Sequence, residues 1–145
     1  MLFRSLATRL PVLGRLSHPT IPLIVTDLSG ARGRTAIQDA IASGVMEVYE
    51  NHTFRPEVAV TRTTLARTAA LVLQKLRRAG MLSERRFDPR AVADVPAEHL
   101  AYPDVVEALR YKVMDLDAQG AFRPAEEVSG EEAAATLDRL ARLAR

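Results

Sequence analysis

The sequence predicts an all-α chain built from tandem helix-loop-helix repeats, and two observations carry that expectation. The first is internal repetition. Laying Ile37 over Val105 aligns residues 37–73 with 105–141 without a gap, and Ala40/Ala108, Val45/Val113, Phe54/Phe122, Arg55/Arg123, Pro56/Pro124 and Val60/Val128 are identical across it. The second is periodicity. Tyr102, Val105, Val106, Leu109 and Val113 recur every three to four residues, as do Ala133, Leu137, Leu140 and Ala144, and Leu65, Ala69, Val72 and Leu76 repeat the latter pattern in the first copy. That spacing puts one apolar stripe on each helix.

In chain order, residues 1–26 read as the tail of a preceding repeat, with a helix over 2–9 closed by Pro11, followed by a linker. Residues 27–80 form the first full repeat, 81–93 a second linker and 94–145 the second repeat. Pro103 suits the first turn of the helix after Tyr102. Thr61 and Ser129 stand in register as N-caps, and Ser129 with Glu132 spells a capping box.

Composition narrows the function. A chain of 145 residues with 48% hydrophobic and 26% charged side chains can bury a core, and its formal charge of +2, with acidic residues interspersed, gives little steering toward nucleic acid. The absence of cysteine excludes disulfides, thiolate zinc sites and thiol catalysis. The longest apolar run, residues 21–25, is too short to span a bilayer. His18, His52 and His99 make no triad or metal spacing, so no catalytic residue, metal or cofactor is expected. Residues 115–126 approach a calcium loop, with Asp115, Asp117, Gly120 and Glu126, but Gln119 breaks it and the first repeat has no equivalent.

The order Asp94-Val95-Pro96, His99-Leu100-Ala101-Tyr102, helix, Val113-Met114, Phe122-Arg123-Pro124, Val128-Ser129 resembles the S-layer homology family. The first repeat is similar through Asp27, Phe54-Arg55-Pro56 and Val60-Thr61-Arg62. The resemblance implies a pseudo-threefold helical spindle of three repeats, and a non-catalytic module that anchors exported proteins to anionic, pyruvylated cell-wall polysaccharide. It also implies a bacterial cell-surface location, the C-terminal part of a larger polypeptide, and either the rest of that polypeptide or another chain to complete the spindle. A purely structural or oligomerising role for degenerate repeats is the alternative.

The family's ligand arginine corresponds to Arg62, and the resemblance makes Thr61 and Thr63 on either side of it candidate ligand residues as well. A cation at the start of a helix opposes the macrodipole by tenths of a kcal/mol, whereas a guanidinium there suits a carboxylate. The second repeat has Gly130 at that position and adds Glu131 and Glu132. Arg62 is therefore expected to be the ligand contact and a residue that the fold does not need. Tyr102 is expected to pack against the core with its hydroxyl exposed, and is a second candidate ligand residue, as a sugar platform.

Overall fold

The computed structural model describes residues 24–32, 34–88 and 92–145. The expected N-terminal helix over 2–9 lies outside the described residues. Among the described residues the secondary structure is four helices: α1 (Arg34–Ala42), α2 (Arg62–Arg78), α3 (Tyr102–Arg110) and α4 (Gly130–Leu143). No strand is present among them, only an isolated antiparallel bridge between Thr61 and Glu127.

Both long helices start where side-chain caps dictate. Thr61 and Ser129 adopt extended backbone, and their hydroxyls accept from the N–H groups of Thr64 and Glu132. The second half of the expected capping box is not made, because the Glu132 carboxylate is turned away to pair with Arg62.

The long helix α2 is the centre of the molecule and packs against both α3 and α4. Its stripe of Leu65, Ala69, Val72 and Leu76 is fully buried, with Leu73 beside it. On α4, Leu137 and Leu140 are equally buried, and Val105 of α3 and Phe122 of the second loop close the same core. Each such leucine contributes roughly 1.5–3 kcal/mol of burial. The helical stripes inferred from spacing thus face one another, although Ala144 at the end of α4 is only half-buried.

The loops repeat as faithfully as the helices. Asp27 accepts from the backbone N–H groups of Phe54 (2.8 Å) and Arg55 (2.6 Å), and Asp94 accepts from Phe122 and Arg123 at 2.6 Å each. One carboxylate per repeat therefore pins a Phe-Arg dipeptide whose arginine has φ of 55° in both copies. The pin aims Phe54 and Phe122 inward, and Leu28 and Val95, each following its aspartate, are buried beside them. Burial alone would raise the Asp27 pKa, but the N–H groups of Phe54 and Arg55 more than offset this and hold it below the ordinary carboxylate value.

The short helices end alike too. The N–H of Gly44 donates to Ile41 and that of Val45 to Ala40, and in the second repeat Lys112 donates to Leu109 and Val113 to Ala108. This is the Schellman arrangement, which needs a left-handed residue, supplied by glycine in the first copy (φ 66°) and by Lys112 (φ 55°) in the second.

Lys112 is exposed and carries a Cβ in a region that suits glycine. Lys112→Gly is expected to stabilise the chain by about 0.5–1 kcal/mol, read from the urea midpoint. Because the folded pKa of Asp27 is lowered, its stabilisation is present at neutral pH and is lost as pH falls below the ordinary value of 3.8. Asp27→Asn should lower the melting temperature at pH 7 and make its decline below pH 3.8 shallower than in the wild type.

Candidate functional site

Consecutive repeats meet at the start of α2. There the backbone of residues 60–63 runs antiparallel to the second loop: Val128 N–H donates to Val60 (2.8 Å), Arg62 N–H to Glu126 (2.9 Å) and Thr63 N–H to Pro124 (3.0 Å). The Thr63 hydroxyl also donates to the Pro124 carbonyl at 2.8 Å. Several of the N–H groups that a helix start leaves unpaired are thus satisfied by the neighbouring repeat.

The Arg62 guanidinium completes this junction. Its Nε donates to the Phe122 carbonyl (2.6 Å), Nη2 to the Asp115 carbonyl (2.7 Å), and Nη1 pairs with Glu132. Its plane lies 4.6 Å from the centroid of the Phe122 ring, and its side chain is only 13% exposed. Burial pulls its pKa down from the ordinary arginine value, and the acidic groups Glu126, Asp115 and Asp94 pull it back up. The expectation that the fold does not need Arg62 is corrected here: the side chain points into the second repeat and bridges it, and three of its five N–H groups are already committed.

Around the far side of the α2 start lies a groove of about 440 Å³ on the first repeat, bordered by Thr61, Thr63, Tyr49, Arg55 and Arg67. Thr61 and Thr63 therefore come together at one site, whereas Arg62 and Tyr102 are not among its lining residues. Tyr102 opens α3, half-buried against the core. Leu100, two residues earlier, is 97% exposed.

Two groove residues had not been singled out from the sequence. Arg55 is exposed and stacks 4.6 Å above the ring of Tyr49, itself 50% exposed. In the second repeat the matching Arg123 is neutralised by Asp117 (2.7 Å) and Glu126 (3.6 Å). Their counterparts in the first repeat are Tyr49 and Val58, and the carboxylate that remains near Arg55 is that of Asp27, which accepts from its backbone N–H at 2.6 Å. The signal was in the self-alignment, as a Tyr/Asp and a Val/Glu mismatch beside a shared Arg. Arg67, the other groove cation, is bracketed by Glu47 (2.7 Å) and Asp104 (3.3 Å). The hydrogen bond from Arg67 holds Glu47 below its ordinary pKa, and the same bond raises that of Arg67.

The calcium-like loop uses its acidic groups otherwise. Asp117 accepts from the N–H groups of Gln119 and Ala121, both at 2.9 Å, and the Asp115 carboxylate pairs with Arg139 at 2.6 Å. Among the described residues no cluster of His, Asp or Glu could hold a metal, and no helix is long and apolar enough to cross a membrane.

A helix pair per repeat, an Asp-pinned Phe-Arg-Pro turn and a Thr-Arg helix start define a class of tandem helical modules, and comparison with known proteins finds similarity in the first repeat. Residues 26–66 match the S-layer homology domain. A curated relative, the cellulosome-anchoring protein of Acetivibrio thermocellus, is 29% identical over 109 residues, which is 74% of this chain and 23% of that protein. The chain thus spans about a quarter of the length of the relative it matches. No solved structure matches it.

Removing the Arg62 side chain would leave the Phe122 and Asp115 carbonyls and the Glu132 carboxylate without their donor. Arg62→Ala is expected to cost about 2–4 kcal/mol of unfolding free energy. A change under about 0.5 kcal/mol, the range of ordinary surface substitutions, would show that the clamp is incidental.

Proposed function

We propose that the chain is a non-catalytic anchoring module of the bacterial cell surface, part of a larger exported protein, and that it grips an acidic cell-wall polysaccharide in the groove of its first repeat. The S-layer homology match over 26–66 carries the proposal, and the similarity to a cellulosome-anchoring protein of Acetivibrio thermocellus supports it.

The chemistry of the groove fits such a ligand. Arg55 offers a planar donor fork whose carboxylate partners have been replaced, which suits a sugar carboxylate such as a pyruvate ketal. Tyr49 supplies a half-exposed ring for the apolar face of the sugar, and the Thr61 and Thr63 side chains border the groove. In this reading the charge contact shifts from Arg62 to Arg55, and Tyr49 takes the platform role considered for Tyr102.

One observation favours a second, structural reading. The groove is lined by Glu47, Phe54, Val58, Val60 and Thr64, which are the counterparts of Asp115, Phe122, Glu126, Val128 and Glu132 around the Arg62 junction. A helix start from a further repeat, in the same polypeptide or in another chain, would dock there as α2 docks on the second repeat.

Co-sedimentation with purified bacterial cell-wall sacculi separates the two. Wild-type chain should be retained, Arg55→Ala should bind roughly tenfold more weakly, and Tyr49→Ala should also lose binding, both with unchanged circular dichroism. Equal retention of all three would remove the groove assignment, and no retention of the wild type would leave the structural reading.

A further inference from the structure

At the other end of α2, about 22 Å along the helix from Arg62 at 1.5 Å per residue, a second cavity of about 500 Å³ is lined by Arg77, Glu84, Arg85, Arg86, Arg110 and Tyr111. Four guanidinium groups converge there. Among the described residues Glu84 alone lines the cavity as a carboxylate, and Glu107, 14% exposed, is shared between Arg77 and Arg110. Arg77 and Arg85 lie 5.8 and 5.6 Å from the centroid of the Tyr111 ring, which is buried and tied by its hydroxyl to the Ser83 carbonyl at 3.0 Å. The Nε of Arg110 is buried and has no hydrogen-bond partner among the described residues.

Ordinary structural needs account for part of this arrangement. Arg77 and Arg110 close helices α2 and α3, where cations offset the negative end of the dipole. They do not account for Arg85 and Arg86, which come from the linker and are exposed, nor for an orphaned donor on Arg110. Nor does the repeated fold require the cluster, since the counterparts of Arg110 and Tyr111 in the first repeat are Ala42 and Ser43. Four guanidinium groups set against two carboxylates, Glu84 and Glu107, leave the cavity with an excess of positive charge for an anion to offset, and the pinned Tyr111 ring lies under two of them.

We infer that this junction between the repeats is a binding site for a multiply charged oxyanion, a diphosphate or a closely spaced pair of carboxylates, held by Arg77, Arg85, Arg86 and Arg110. Paired planar forks match such oxyanions bidentately, and a cavity of this volume takes more than a single phosphate. The site is separate from the groove at Tyr49 and Arg55 and does not depend on the role proposed for it.

Titration calorimetry of the full chain with inorganic pyrophosphate, and with citrate as a polycarboxylate of similar charge, tests the assignment. The wild type should bind, and the Arg85→Gln/Arg86→Gln double variant, altered only at exposed linker positions, should bind at least roughly tenfold more weakly. Arg142→Gln on α4 should bind as the wild type does. Absence of wild-type binding, equal binding by the double variant, or an equal loss in Arg142→Gln would each overturn the site. Sacculi retention run in parallel distinguishes the source of the ligand: loss in the double variant assigns the oxyanion to the wall polymer, and retention together with lost pyrophosphate binding assigns it to a soluble anion.

Discussion

The Arg62 junction is the interaction on which the rest of the structure depends. A single guanidinium lies over the Phe122 ring, donates to two carbonyls of the second loop and pairs with Glu132 of α4. It thereby joins the start of one long helix to the turn and the start of the next. The electrostatic penalty of a cation at a helix start is a few tenths of a kcal/mol, far smaller than what charge-assisted bonds to three acceptors return. Once α2 is fixed at that end, its apolar stripe is presented to α3 and α4 in one orientation.

The junction also explains why the two repeats are similar without being interchangeable. Arg62 and Glu132 are not counterparts: Arg62 matches Gly130, and Glu132 matches Thr64. The positions at which the copies disagree in charge are the ones that meet in space, so divergence has produced complementarity with a direction, from the first repeat to the second. The same logic separates Arg55, stacked on an open tyrosine, from Arg123, neutralised by Asp117 and Glu126. It separates the arginine-lined cavity from the Ala42 and Ser43 end of the first repeat as well. Shared residues build the frame, and the mismatches carry whatever chemistry is local.

Much of the frame was legible because it rests on short-range rules. The caps at Thr61 and Ser129 follow from hydroxyl geometry at a helix start, and the stripes of α2 and α4 follow from a period of 3.6. The Asp27 and Asp94 pins were visible only as residues recurring ahead of each repeat, because their acceptor role depends on turns 27 and 28 residues away. At Arg62 sequence reasoning recovered the local physics and missed the destination. Nothing between residues 58 and 70 says that Phe122 and Glu132 will be opposite, and so the side chain read as one that the fold does not need.

Sequence alone determined the helical class, the repeat, the helix starts and the buried stripes, since each is set by neighbours within a turn or by an identical pattern elsewhere in the chain. Only the tertiary structure decided which cations are engaged and which remain open. That depends on the three-dimensional meeting of residues some sixty positions apart, as Arg62 and Phe122 are, and on which turn arginine meets carboxylate side chains, as Arg123 meets Asp117 and Glu126. A charge is functional or structural according to its partners, and partners are a property of the fold.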